Sequence, residues 1–182
     1  MLPSALLLAW FSVALWFSRT GRLDSIPSAQ LLAVGMACSI FGFVGMTAAS
    51  PAFRNWTGRI SLRALTLLQT PRVLGGSYIL FCVRTGLVQG TFGWPPGVSD
   101  VAIGLSAPIV AHFLISKTGE PRHGLLSWQA FSLAWLLISS LSGILTSPES
   151  LSRFPLNLVP FFFGPLMIFL QLIGIRRATH SA

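Results

Sequence analysis

Six long apolar segments, separated by short polar or proline-rich connections, make up most of this chain. They cover residues 2–18, 29–50, 73–90, 101–116, 126–145 and 154–175. Each segment is continuously apolar, and most approach the roughly 20 residues that a helix needs to cross about 30 Å of hydrocarbon. Strands of a membrane barrel would instead alternate between apolar and polar positions over about ten residues. The pattern therefore predicts an all-α, polytopic membrane protein of about six transmembrane helices, with one integral membrane domain over residues 1–182.

The composition indicates that lipid is the solvent of this fold. The 182 residues are 53% hydrophobic and only 9% charged, and their mean hydropathy is +0.74. Soluble domains carry about 25% charged residues, so this chain has too few charges to cover a globular surface in water. In hydrocarbon every backbone polar group must be paired internally, which favours helices as the spanning elements. The lipid bilayer is therefore the first expected partner.

The positive charges predict an orientation rather than a nucleic-acid site. Six spans place both termini on one side, and the loops of that side hold eight of the twelve Lys and Arg residues, against three on the other side. Cytoplasmic loops of membrane proteins carry the excess of Lys and Arg, so we expect both termini in the cytoplasm. The net charge of +8 comes from residues scattered through loops and helix ends, and we predict no nucleic-acid partner.

Arg84 and Asp100 are the first candidate functional residues. Arg84 lies within the third apolar segment and Asp100 at the start of the fourth. An arginine at the centre of a membrane helix costs about 2.5–3.5 kcal/mol on insertion scales. Arg84 is about six residues from the end of its segment, so it could extend to the headgroups, or it could point at protein and bind a partner. Pro95-Pro96-Gly97 predicts a turn between the two segments, and antiparallel packing would then bring Arg84 and Asp100 together. The pair is either structural, with Asp100 capping its helix and neutralising Arg84, or a functional site.

His112 is the third candidate functional residue. Together with the two cysteines, it decides whether the sequence predicts a cofactor or metal site. One interpretation is that His112 and His123 bind a haem. A haem held between helices would use two intramembrane histidines, and this chain has one. A histidine near a helix end that hydrogen-bonds to a neighbour is the ordinary interpretation. Cys38 and Cys82 each lie in the middle of an apolar segment, where cysteine is usually a small packing residue. We predict no cofactor, no metal site and no disulfide.

Small residues recur along the predicted helices at spacings that place them on one face. In the second segment they are Gly35, Cys38, Gly42, Gly45 and Ala49. In lipid, small residues let helix backbones approach closely, and this approach drives helix association. The last segment carries Pro155, Pro160 and Pro165, so we expect a bent or broken helix there.

Short motifs in the last two-thirds of the chain carry a resemblance. They are Gln69, Arg72-Val73-Leu74-Gly75, Pro95-Pro96-Gly97-Val98-Ser99-Asp100, Gly104, Ala107-Pro108, Phe154-Pro155-Leu156 and Val159-Pro160. Together they resemble a group of small, uncharacterised bacterial multi-pass membrane proteins. In that group a glycine stands at the place of Ser99, and a histidine at the place of Gln171. The resemblance implies a bacterial cytoplasmic (inner) membrane location and no known activity.

Two function classes follow from these observations. The chain has no Gly-x-Ser-x-Gly, His-Glu-x-x-His or P-loop motif, so we assign no catalytic residue and do not favour an enzyme. The favoured hypothesis is a non-catalytic membrane component that acts by helix packing with itself, as a homo-oligomer, or with a membrane-protein partner. The alternative is a small-solute or ion transporter, a homodimer that uses the Arg84–Asp100 pair.

Overall fold

The fold is helical throughout the part of the chain that is described. A computed structural model describes residues 2–20, 28–115, 124–146 and 154–180. Its helices are α1 (Leu2–Thr20), α2 (Ser28–Ala49), α3 (Pro51–Arg59), α4 (Leu62–Leu67), α5 (Arg72–Arg84), α6 (Gly90–Phe113), α7 (Leu125–Thr146) and α8 (Gly164–His180). A π-helical turn, Val159–Phe163, directly precedes α8. The all-α prediction is confirmed.

Two helical segments are long and apolar enough to cross a membrane within the described ranges. They are Leu125–Gly143 and Val159–Thr179. A third candidate is the pair Ala33–Ala49 and Pro51–Arg59, whose axes meet at 99°. The bend between them is a capped helix start, because the Ser50 side chain accepts a hydrogen bond from the Phe53 backbone N–H. That the chain crosses the membrane six times, and that both termini lie in the cytoplasm, stay predictions.

The third and fourth apolar segments depart most from the predicted pattern. α5 ends after 13 residues, which is about 20 Å, and α6 then runs for 24 residues from Gly90. The turn expected at Pro95-Pro96-Gly97 is wrong, because these residues lie inside α6. The fixed φ of proline is compatible with a helix. Because proline has no backbone N–H, Pro95 and Pro96 each leave one carbonyl in the first turn of α6 without its usual helical hydrogen bond. The chain reverses earlier, at Gly86, whose φ is +74°.

α5 and α6 form the most extensive helix pair, and glycines set their separation. A Cβ added at Gly76 would stand 2.6 Å from the carbonyl oxygen of Gly97 and 2.9 Å from the backbone nitrogen of Val101. A Cβ added at Gly104 would stand 2.7 Å from the backbone nitrogen of Val73. These neighbours are backbone atoms, so they cannot move aside as the end of a flexible side chain would. The two helices are therefore as close as glycine allows.

α4 and α7 connect this pair to the other helices. α7 packs against both α6 and α8, α4 packs against α6 and α8, and α2 packs against α8 and the π-helical turn. The expected break in the last apolar segment is present as a turn over residues 154–157 followed by the π-helical turn. Such π-helical turns occur frequently at functional sites. The result is that α5, α6, α7 and α8 enclose a common interior.

Replacing Gly76 by leucine tests the close approach of α5 and α6. We expect Gly76→Leu to destabilise the fold by at least about 1–3 kcal/mol, because an overpacked side chain forces the two backbones apart. The measurement is the thermal unfolding midpoint of the purified protein in detergent. Gly58→Leu is the matched control, since a Cβ at Gly58 meets nothing within 4 Å. Equal midpoints for the two variants would contradict the glycine-limited packing.

Candidate functional site

A buried ion pair joins α5 to α6. The Arg72 guanidinium donates from Nε to Asp100 Oδ1 at 3.0 Å and from Nη2 to the same oxygen at 2.5 Å. The two side chains are 2% and 15% exposed. Arg72 is the first residue of α5, where the positive end of the helix dipole disfavours a cation. Asp100 is therefore the group that makes a buried Arg72 acceptable.

The hydrogen bonds of Arg72 continue into two further helices. Its Nη1 donates to the hydroxyl oxygen of Ser132 on α7 at 2.6 Å. The same oxygen accepts a hydrogen bond from Gln171 Nε2 on α8 at 2.5 Å. Ser132 and Gln171 are both 0% exposed. One connected set of polar contacts, which we call the polar cluster (Arg72, Asp100, Ser132 and Gln171), thus ties four helices together.

Two more buried glutamines lie close to the polar cluster along the chain. Gln69 precedes Arg72 by one turn, and the Arg72 backbone N–H donates to its carbonyl oxygen at 3.1 Å. Gln129 precedes Ser132 by one turn on α7, and the two glutamines are 0% and 1% exposed. In the described part of the chain, neither amide atom of Gln69 has a hydrogen-bond partner, and the same holds for Oε1 of Gln129 and of Gln171. Each unsatisfied buried group costs about 1–3 kcal/mol, so this interior holds more polar groups than its own hydrogen bonds use.

The predicted Arg84–Asp100 pair is wrong. Arg84 is exposed at the last residue of α5, about 18 Å along the helix from Arg72. Asp100 does not cap α6 either, because α6 begins ten residues before it, after Gln89. Since the chain reverses at Gly86 instead of at the prolines, Asp100 meets the opposite end of α5. Asp100 therefore pairs with Arg72 and not with Arg84, and its role as a functional residue stays a prediction.

His112 is also placed away from the polar cluster. It is exposed near the end of α6, and its ring lies 4.8 Å from the ring of Phe113. His123, the second residue of the haem hypothesis, lies outside the described residues. Within those ranges, no group of three or more His, Cys, Asp or Glu side chains is arranged to hold a metal ion.

A signal for the missing residues was present in the sequence motifs. Gln69, Arg72 and Asp100 all belong to the motifs that carry the resemblance, and position 171 is one of its two departures. Arg72 was assigned to a loop because it follows Pro71 at the edge of an apolar segment. Ser132 and Gln129 lie one turn apart in the first half of the mostly apolar helix α7, which is the pattern of a buried polar face. Hydropathy averages over such single residues and does not detect them.

The polar cluster opens on a cavity. Arg72 and Asp100 both line an internal space of about 380 Å³ between α2, α5, α6, α7 and the segment that leads into α8. The other polar residues on its wall are Tyr78, Ser139 and Ser140. Most of the remaining wall is apolar, so the ion pair is a charged patch on a largely apolar wall.

The match to a family model covers most of the chain. Residues 29–179 match the model of a domain of unknown function, DUF8737. The chain belongs to the DUF8737 family. The matched region includes the polar cluster and every helix from α3 to α7, so the cluster is part of the DUF8737 domain. No curated protein and no solved structure matches the chain.

The ion pair of this DUF8737 domain can be tested by removing one charge or both. We expect Asp100→Asn to destabilise the protein by about 3–5 kcal/mol, because it leaves the Arg72 charge buried without a counter-charge. The double variant Arg72→Met, Asp100→Leu should recover most of this loss, since apolar groups of similar size can replace a buried ion pair. Thermal unfolding in detergent measures both.

Arg84→Gln is the matched control for these variants, because Arg84 is exposed. It should leave the unfolding midpoint close to that of the parent protein. The assignment of the ion pair fails if Arg84→Gln destabilises as much as Asp100→Asn does, or if the double variant is no more stable than Asp100→Asn.

Proposed function

We propose that this protein is a multi-pass component of the bacterial cytoplasmic membrane, with about six spans and both termini in the cytoplasm. Two helical segments, or three with the bent pair, are apolar and long enough to cross a bilayer. The low content of charged residues and the excess of Lys and Arg on one side support the same location. The resemblance to small bacterial multi-pass proteins supports the kind of membrane.

Within that membrane we propose a non-catalytic role in which the protein associates with a second copy of itself. The observation that carries this proposal is the surface of α2. Cys38, Gly42 and Gly45 are exposed, and their spacing of four and three residues places them on one helix face. A Cβ added at Gly42 or Gly45 meets nothing within 4 Å. Gly76 on α5 and Gly104 on α6 are used for packing inside the chain, whereas this part of α2 is left open.

The rest of α2 supports the same surface. At Gly35, one end of the predicted small-residue face is already occupied by the ring of Phe161, so the chain itself uses this end of the face. In lipid no hydrophobic force drives helices together, and close packing of small residues is what makes association favourable. An open glycine surface of this kind suits another helix that can approach as closely. A copy of α2 provides such a helix.

The polar cluster has a structural role in this proposal. Arg72 and Asp100 neutralise each other, and Ser132 and Gln171 extend their contacts to α7 and α8. The cluster therefore holds the bundle in one arrangement, which supports the structural interpretation of the charged pair. It leaves the outer helix faces free to contact lipid or another protein.

Cys38 is a built-in reporter of self-association. Cys38 is exposed and Cys82 is buried, so mild oxidation of membranes should give a disulfide-linked dimer through Cys38 alone. A disulfide requires the two Cα atoms to be about 4.4–6.8 Å apart, so the cross-link reports a close helix pair. Gel mobility without reductant measures the dimer, and Cys38→Ser should abolish it. Gly42→Leu should strongly reduce it, while Gly58→Leu should leave it unchanged.

Native mass spectrometry of the protein released from its own membranes completes this test. A homodimer together with the Cys38 cross-link supports self-association. A monomer without a cross-link overturns it, and a stoichiometric second polypeptide would replace self-association by a heteromeric partner.

The second candidate is a small-solute or ion transporter, now with Arg72 and Asp100 in place of Arg84 and Asp100. It is favoured by one observation, which is that the ion pair lines the cavity. Ionisable residues inside membrane proteins often mark substrate or ion pathways. If transport is the function, liposomes that contain the protein should take up solute, and the Arg72→Met, Asp100→Leu variant should lose uptake while it keeps the Cys38 cross-link.

A further inference from the structure

The 380 Å³ cavity has the size and lining of a small-molecule site. Such sites measure about 300–1,000 Å³ and are mostly apolar with a few polar groups that fix orientation. Here the charged groups are Arg72 and Asp100, which share one part of the wall, while residues such as Leu136, Leu156 and Met167 make much of the rest apolar. A molecule that fills the cavity must therefore have one compact polar end and an apolar body.

The charged side chains on the cavity wall determine which polar head group a bound molecule can have. Among the residues that the structure describes, Arg72 and Asp100 are the charged side chains on the wall of the cavity, and they neutralise each other through Oδ1. A carboxylate or phosphate would bring a second negative charge beside Asp100, and an ammonium group would bring a second positive charge beside Arg72. Neither would find an uncompensated counter-charge in this low-dielectric interior, where an unpaired charge is strongly disfavoured. The polar end is therefore uncharged.

Asp100 offers a specific contact to such a group. The two Arg72 nitrogens that bind Asp100, Nε and Nη2, both donate to Oδ1. In the described part of the chain, no donor is bonded to Oδ2 of Asp100. The Asp100 side chain is still 15% exposed and it lines the cavity. A carboxylate oxygen only accepts hydrogen bonds, so its natural ligand group is a donor. Among neutral polar groups, a hydroxyl is the compact one that donates.

The rim of the cavity indicates the route of entry. Leu74 and Phe163 line the cavity, yet they are 75% and 44% exposed on the outer surface of the helices. In a bilayer these side chains would contact acyl chains, so the cavity communicates sideways with lipid. This step rests on the proposed membrane location and is independent of the proposed self-association.

We propose that the cavity binds a neutral membrane lipid with a hydroxyl head group, such as a long-chain alcohol or an acylglycerol. The hydroxyl donates to Asp100 and the chain lies against Leu136, Leu156 and Met167. Arg72 fixes the orientation of the Asp100 side chain through its two hydrogen bonds to Oδ1, and is thus a positioning residue for the head group.

Photolabelling with matched lipids tests this site. The full chain in detergent is irradiated with three diazirine probes of equal chain length that end in an alcohol, a carboxylate or a trimethylammonium group. Cross-linked peptides are mapped by mass spectrometry. The alcohol should label the peptides that line the cavity, saturably and in competition with the unlabelled alcohol. The two charged probes should give only the background that is seen on outward-facing peptides.

Gly75→Leu is the decisive variant, because Gly75 lines the cavity and a Cβ there meets nothing within 4 Å. The leucine side chain takes up space at the cavity, so specific alcohol labelling should fall by about tenfold or more. Gly58→Leu, at an equally open glycine away from this cavity, should label like the parent protein. The Arg72→Met, Asp100→Leu variant should also lose labelling, since it lacks the acceptor.

The results separate cleanly. Labelling that survives Gly75→Leu, or that is equal for the carboxylate and the alcohol, overturns the site. Labelling of the cavity by the alcohol alone, with loss in Gly75→Leu, supports it. Repeating the labelling on Gly42→Leu protein, which should not self-associate, keeps this outcome separate from that of self-association, because Gly42 does not line the cavity.

Discussion

The buried charge of Arg72 is the constraint on which the rest of the structure depends. A guanidinium at the N-terminus of a helix and almost fully removed from solvent is stable only with a counter-charge and hydrogen-bond acceptors in place. Asp100 supplies the charge and Ser132 supplies a further acceptor, and Gln171 binds the same hydroxyl oxygen. Since these residues come from four helices, satisfying one side chain fixes the relative placement of the whole interior.

Glycine packing and turn position make this arrangement possible. The reversal at Gly86 sets which residues of α5 and α6 face each other, and it brings Asp100 to the Arg72 end of α5. Gly76 and Gly104 then allow backbone approach that no other residue would permit. A shift of the hairpin by one helical turn would bring side chains against backbone and separate the two charges by about 5 Å. Steric and electrostatic requirements therefore select the same register.

The outer surface and the cavity follow from this interior. Many large apolar side chains are exposed on the helix exteriors, and Gly42 and Gly45 of α2 are open; the proposals of a membrane location and of self-association use these surfaces. The same ion pair forms the polar wall of the cavity and leaves one carboxylate oxygen as an acceptor there. One set of contacts thus serves both to hold the bundle and to define what kind of molecule fits inside it.

Sequence alone determined the helical class and the approximate extent of α1, α2 and α7, because hydropathy over about twenty residues is a local property that a helix converts directly into burial in lipid. It also identified Asp100 as a residue of interest and indicated that the proline-rich last segment is interrupted. Only the tertiary structure decided that Pro95-Pro96-Gly97 continues a helix, that Asp100 binds Arg72 and not Arg84, and that Ser132 and Gln171 complete the cluster. Which side chains meet depends on hairpin register and helix crossing, and these are set by contacts between residues far apart in the chain.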